Sequence, residues 1–448
     1  MQSQPTCKEP VSTRKLVLKS KRAKKQKEGG VIMERIPIAI VGCGGMGGRH
    51  LLGLRELYDA GLGNVHLVAV CDLRRDNAEY LANNAEGLLG HRPQVFEDME
   101  TMVKALPELQ GVDITTDSGS HHKVASTALD LGLNVMVEKP LALTIRGCNL
   151  ILEAQKRNGK LLSVAEQERR DPMCRLTKAV IDSGILGDLY MLFQISAGGS
   201  NKIIIWPWRH YKNIGGIIVD AGVHTADQMQ YYLGDAHEVY AKAKRFEPIR
   251  YRGEKIGVQN FYEHWYTEVP EQITASAEDM LASIITFESG VTGQWTSFQA
   301  AHGPGFRQSV IYGSKGSLQP PGSRNGRPVV LHLDDGGEIS GEAVLELVPD
   351  FHLDTTTATL FKSDRLGSYD FSGPEPDRML IAIEYREFGE CIETGAQPEV
   401  DGYVGRKALA LCNAALESGV LNRTVTLEEV EAEKTGVYEK EINAYWKI

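Results

Sequence analysis

The sequence predicts an α/β protein whose first half is a parallel sheet covered by helices on both faces. Two observations predict it: short continuous apolar runs recur between residues 36 and 164, and a helix-compatible segment separates each run from the next. A third sets the scale. At 448 residues the chain exceeds the roughly 250–300 at which a single core stops growing, which predicts two domains sharing a cleft.

The first run, Ile36-Pro-Ile-Ala-Ile-Val41, leads into a glycine turn and then a helical stretch through Leu51, Leu52, Leu54 and Leu57. Val65–Cys71 is the second strand; it stops at Asp72 and is followed by a helix over 74–89. Further strands are expected at Gln94–Phe96, Gly111–Thr115, Asn134–Val137 and Lys160–Val164.

The glycine turn carries chemistry because of where it falls. Gly42-x-Gly44-x-x-Gly47 follows a strand and opens a helix, so its backbone, with that of Gly45 and Met46, can approach a pyrophosphate at the helix N-terminus. Asp72 ends the next strand, where a carboxylate accepts hydrogen bonds from ribose hydroxyls and repels a 2′-phosphate, favouring NAD over NADP. Arg74 and Arg75 pull the other way, since either could pair with that phosphate.

Two later segments sit where a reaction would occur. Asn134–Val137 runs into Glu138-Lys139-Pro140, which places Lys139 at the carboxyl edge of the sheet, where ligands bind. In Gly215-Gly216-Ile-Ile-Val-Asp220-Ala-Gly222-Val-His224-Thr-Ala-Asp227, Asp220 and His224 are four apart and share one helix face. Glycines at 215, 216 and 222 cost helix stability unless close approach is needed.

In these motifs, their order and their spacing, the chain resembles the glucose-fructose oxidoreductase and inositol dehydrogenase family, Gfo/Idh/MocA, over nearly all of residues 34–430. The resemblance implies an N-terminal Rossmann NAD-binding domain (34–165) and a C-terminal α+β domain (166–448) with a large, mostly antiparallel sheet that carries substrate contacts and homo-oligomer interfaces, in a dimer or tetramer. It also implies that Lys139, Asp220 and His224 form the catalytic group, and that Glu138 and His121 belong to the cofactor end of the cleft; packing at a helix start explains His121 nearly as well. The implied activity is hydride transfer between NAD(H) and a secondary alcohol of a sugar, cyclitol or glycoside. His224 has the titration range of a base and Lys139 the charge to stabilise an alkoxide, but a lysine made less basic by burial could exchange roles with it. An enzyme that keeps NAD bound and performs internal redox is a second reading, and a sugar-sensing regulator without catalysis a third.

The chain departs from its relatives at Ala165-Glu166-Gln167-Glu168-Arg169-Arg170, where they often carry His or Gln followed by Asn. Arg169 is the substrate-binding candidate there, and Trp208, in Trp206-Pro-Trp208-Arg209-His210-Tyr211, is another, since aromatic faces stack on sugar C–H surfaces. Segments near 245–272 and 320–375 read as insertions able to wall a site or bridge subunits, which leans the substrate toward a larger sugar derivative.

Composition excludes other classes. With 42% hydrophobic and 24% charged residues the chain is an ordinary globular protein, and no apolar run reaches the roughly 18–20 residues of a membrane helix. Residues 1–33 form a basic leader at +7 that is expected to be disordered, or absent if translation starts at Met33. The remainder is at −17, which argues against nucleic acid. Seven scattered cysteines without a CxxC pair fit reduced thiols in a cytoplasm and no metal site.

Overall fold

The computed structural model describes residues 35–253, 260–334 and 336–448. The basic leader lies outside the described residues, as does 254–259 within the first of the two expected insertions.

Six parallel strands form the first sheet: β1 (Ile36–Val41), β2 (Val65–Cys71), β3 (Gln94–Phe96), β4 (Gly111–Ile114), β5 (Asn134–Glu138) and β6 (Leu162–Ala165), in the order β3-β2-β1-β4-β5-β6. This is the doubly wound dinucleotide-binding order, whose strand reversal between β1 and β4 opens the cofactor crevice. All four β4 residues are buried, including Asp113, as expected of a strand covered on both faces. The connecting helices are α1 (Gly45–Asp59), α2 (Arg75–Leu89), α3 (Met99–Ala105), α4 (His121–Asp130) and α5 (Ile145–Asn158). Capping marks several boundaries: Asp98 accepts from the Thr101 N–H, and Thr144 from the Gly147 N–H. The last β strand begins at Leu162, two residues later than the apolar run suggests.

After α6 (Pro172–Asp182) the chain enters a mixed sheet with strands β7 (Leu189–Gly199), β8 (Ala236–Lys244), β11 (Met280–Phe287), β12 (Thr292–Ala301), β13 (Phe306–Gly313), β14 (Gly316–Gln319), β15 (Val330–Leu333), β16 (Gly337–Ser340) and β17 (Val425–Thr426); β9 (Ile249–Tyr251) and β10 (Gln272–Thr274) pair separately. Its order is β16-β15-β14-β13-β7-β12-β11-β8-β17, and only β7 and β12 pair in parallel. Helix α7 (Ile217–Leu233) and the helix Gly402–Leu421 pack on one face. Along β11 the alternation is clear: Leu281, Ile285 and Phe287 are buried while Ile284 is exposed. The uncovered side also exposes Tyr190, Tyr240, Phe306 and Tyr312. Helix Glu375–Thr394 returns to pack on α1, so the end of the chain completes the core of its beginning.

Candidate active site

The carboxyl edge of the first sheet opens into a cavity of about 940 Å³, near the upper end of the roughly 300–1,000 Å³ range of small-molecule and cofactor pockets. Gly42, Gly44, Gly45, Met46, Asp72, Arg74 and Trp208 all line it. Gly42 turns at φ +97°, and a Cβ at Gly47 would lie 2.4 Å from the Gly42 carbonyl oxygen, so the turn tolerates no larger residue there. No side chain caps the N-terminus of α1, and its first turn contains no acid, which leaves backbone N–H groups and the helix dipole available to a pyrophosphate. Asp72 accepts from the Cys43 N–H at 2.7 Å and the Arg74 N–H at 2.8 Å, which fixes its carboxylate beside the turn. These features fit a dinucleotide.

Lys139 directly follows β5, is joined to Pro140 by a cis bond and is buried. Its Nζ donates to the Asp220 backbone oxygen at 2.9 Å and to Oδ1 at 3.1 Å. Asp220 also pairs with Arg209. Burial by itself would raise the Asp220 carboxyl, but Arg209 and Lys139 outweigh it and hold it below the usual carboxylate range. One turn along α7, His224 donates from Nδ1 to Glu166, 2.7 Å from Oε1 and 2.8 Å from Oε2, leaving Nε2 for proton chemistry. Asp220 and His224 thus share a helix face but have different partners: Asp220 positions the lysine, and Glu166 the imidazole. Gly222 lets this helix seat on the second sheet, since a Cβ there would meet the Trp295 ring at 3.0 Å.

Lys139, Asp220 and His224 are not among the residues that line this cavity, and neither are Glu138, Arg169 and His121. Glu138 is buried between His50, at 3.1 Å, and Arg49, at 3.8 Å. Its carboxyl, which burial alone would raise, is held down at about 2 by His50, Lys139 and Arg49. His50 in turn is pushed up to about 10, because Asp113 and Glu138 overcome the burial that would lower it. Arg169 is committed to Asp227, its Nε 2.8 Å from Oδ2, and lies over the Tyr231 ring at 4.9 Å. His121 begins α4 and is buried, with Nδ1 2.8 Å from the Pro140 carbonyl oxygen. Glu166 and Arg209 are the two functional groups that sequence reasoning did not single out; Glu166 carried one signal, a carboxylate directly after a parallel strand at the ligand-binding edge.

Residues from the first expected insertion also reach the cavity: Tyr262, Trp265 and Glu268 line it together with the glycine turn. Among the described residues no group of three or more His, Cys, Asp or Glu is arranged to hold a metal ion, and no helix is long and apolar enough to cross a membrane.

The doubly wound sheet, the glycine turn with its carboxylate, and a lysine and histidine held at the sheet's carboxyl edge define an NAD-binding oxidoreductase. Similarity to known proteins gives its family. The model described as an oxidoreductase family with an NAD-binding Rossmann fold matches residues 36–166, and that of the GFO/IDH/MocA C-terminal domain matches 174–319. The chain belongs to the Gfo/Idh/MocA family. It is 25% identical over 412 residues to the D-apiose dehydrogenase of Paraburkholderia graminis, covering 90% of this chain and 93% of that one. To the myo-inositol 2-dehydrogenase of Thermotoga maritima it is 23% identical over 395 residues, covering 88% and 99%. The solved structure of levoglucosan dehydrogenase with NADH and L-sorbose has the same fold, with a TM-score of 0.66 at 19% identity over 88% of this chain and all of that one.

Proposed function

We infer that this chain is a dehydrogenase that moves a hydride between NAD(H) and a secondary alcohol of a sugar, cyclitol or glycoside. The observation that carries the reading is a pair of held groups built around one face of α7: Lys139, after β5, held by Asp220, and His224 held by Glu166. When bound, NAD supplies the hydride acceptor. The protein supplies the rest. His224 takes the hydroxyl proton at Nε2, and Glu166 compensates the charge the imidazole gains. Lys139, whose ammonium already faces Asp220, donates a hydrogen bond to the oxygen as it becomes an alkoxide. That pairing favours the lysine as donor and the histidine as base.

Asp72 supports NAD over NADP. Residues 34–165 serve as the cofactor half and 166–448 as the substrate and subunit-contact half. The exposed Tyr190, Tyr240, Ile284, Phe306 and Tyr312 on the second sheet support a homo-oligomer through that face. Six free, buried cysteines among the described residues support a reducing cytoplasm.

The test is absorbance at 340 nm with NAD and a panel of polyols, inositols, aldoses, uronic acids and glycosides; a rise with one class supports the reading and names the substrate. A second reading, retained NAD with internal redox, is favoured by the aromatic wall that Tyr262 and Trp265 add to the cavity; it predicts silence in that assay and cofactor that survives desalting. A regulator without catalysis predicts that Lys139→Ala changes nothing but ligand binding.

A further inference from the structure

Nothing in the motif chemistry accounts for the segment Phe261–Glu268, yet it makes a continuous series of contacts with the cofactor-binding half. A Cβ built on Gly45 would lie 2.6 Å from the Tyr262 ring, so the tyrosine lies directly on the first turn of α1. His264 stacks on Tyr80 of α2, with ring centroids 3.9 Å apart and planes at 15°. Trp265 donates from Nε1 to Asn77 Oδ1 at 2.9 Å. At the far end Glu268 takes the Arg74 guanidinium in a fork, NH1 to Oε2 at 2.8 Å and NH2 to Oε1 at 3.2 Å.

Arg74 lies two residues after Asp72 in the cavity wall, a position from which an arginine would meet a ribose 2′-phosphate. It is taken from two sides. Asp76, on its own helix, holds NH2 at 2.8 Å, and Glu268 holds it from across the cleft. Glu97, Asp98 and Glu100 line the same cavity. Lys123 is a second cation in the lining, but beside Asp72 an incoming phosphate dianion meets a guanidinium whose fork is already filled by carboxylates.

We propose that Glu268 is a specificity determinant of the dinucleotide site: by holding Arg74 it withholds the arginine two residues past Asp72 from a 2′-phosphate, so that the protein takes NAD and rejects NADP. Glu268 acts twice, occupying the guanidinium and adding its own negative charge to the rim. Asp76 is a weaker holder because it is the more exposed of the two, at 68% against 45%. The proposal rests on the reading of this cavity as an NAD site and extends it to a residue 194 positions from Arg74.

The experiment is a fluorescence titration of the full chain with NADH and with NADPH, which needs no substrate. Glu268→Gln is expected to tighten NADPH binding at least tenfold while changing NADH binding less than threefold. Glu268→Gln combined with Arg74→Ala is expected to lose most of that gain, which shows that it runs through the arginine. An NADPH-to-NADH ratio unchanged within twofold in Glu268→Gln overturns the proposal, and so does a gain that survives in the double variant. Glu268 is half-exposed, so the variant is expected to melt with the wild type. A wild-type chain that binds neither dinucleotide overturns the cofactor reading itself, and the proposal with it.

Discussion

Replacing Glu166 by Gln tests the arrangement around His224 with the least disturbance. The amide keeps the volume and can still accept from Nδ1, so the ring keeps its orientation; what disappears is the negative charge 2.7 and 2.8 Å from that nitrogen. It also keeps an oxygen for the Glu168 N–H, now 3.1 Å from Oε1. Both partners are shielded, with side chains 13% and 4% exposed, so solvent does little to replace the lost charge. A hydrogen bond to a charged group contributes roughly 1.5–3 kcal/mol. That contribution is needed in full only when His224 has taken the substrate proton, so it falls on the transition state. At about 1.36 kcal/mol per tenfold in rate, kcat drops roughly 10- to 160-fold. The assay is steady-state NAD reduction, with NADH affinity measured separately by fluorescence. The account expects kcat to fall with NADH affinity unchanged, and Glu166→Asp to recover part of the loss. Wild-type kcat in Glu166→Gln, or parallel loss of cofactor binding, would refute it.

Lys139→Met removes the alkoxide donor and is expected to lower kcat by roughly 10²–10³ while NADH still binds, because Asp220 retains Arg209 as a partner. Asp72→Asn removes a charged acceptor for the ribose hydroxyls; NADH affinity by titration is expected to weaken roughly tenfold or more. His50, whose value in the fold is pushed up to about 10 from an ordinary 6.5, contributes stability that is complete below about pH 6.5 and is lost as the pH rises through 10. Melting temperatures from pH 6 to 10.5 should therefore fall more steeply for the wild type than for His50→Gln; equal slopes would contradict the buried His50–Asp113–Glu138 cluster.

The first sheet was legible because buried parallel strands read as unbroken apolar runs with punctuated ends, and Val65–Cys71 closing on Asp72 is the clearest case. The second sheet was not readable in that way. Its central parallel pair joins β7 to β12 across about 100 residues, with Thr292 opposite Met191, and no local pattern encodes such a register. Resemblance supplied that sheet, not periodicity. In the candidate site, Lys139 after β5 and the shared helix face of Asp220 and His224 were legible from position; their grouping as a catalytic set came from resemblance. Glu166 was not legible, since its partner His224 lies 58 residues along the chain and the charge cluster Glu166-Gln-Glu-Arg-Arg carries no local sign of what its members pair with; Arg209 likewise gave no sign of its pairing with Asp220. In the fold that cluster is internal: Arg169 pairs with Asp227, Glu168 with Arg324, and Arg170 with Glu387. Burial of paired charges reverses what composition suggests.

The central claim, hydride transfer at this site, is tested most directly by offering the protein NAD and a responsive polyol deuterated at the carbinol carbon, then analysing both free and protein-bound cofactor by mass spectrometry. The account predicts one deuterium on the reduced nicotinamide, with Lys139→Met slowing its appearance. A substrate that is converted while neither cofactor pool ever acquires deuterium would contradict it.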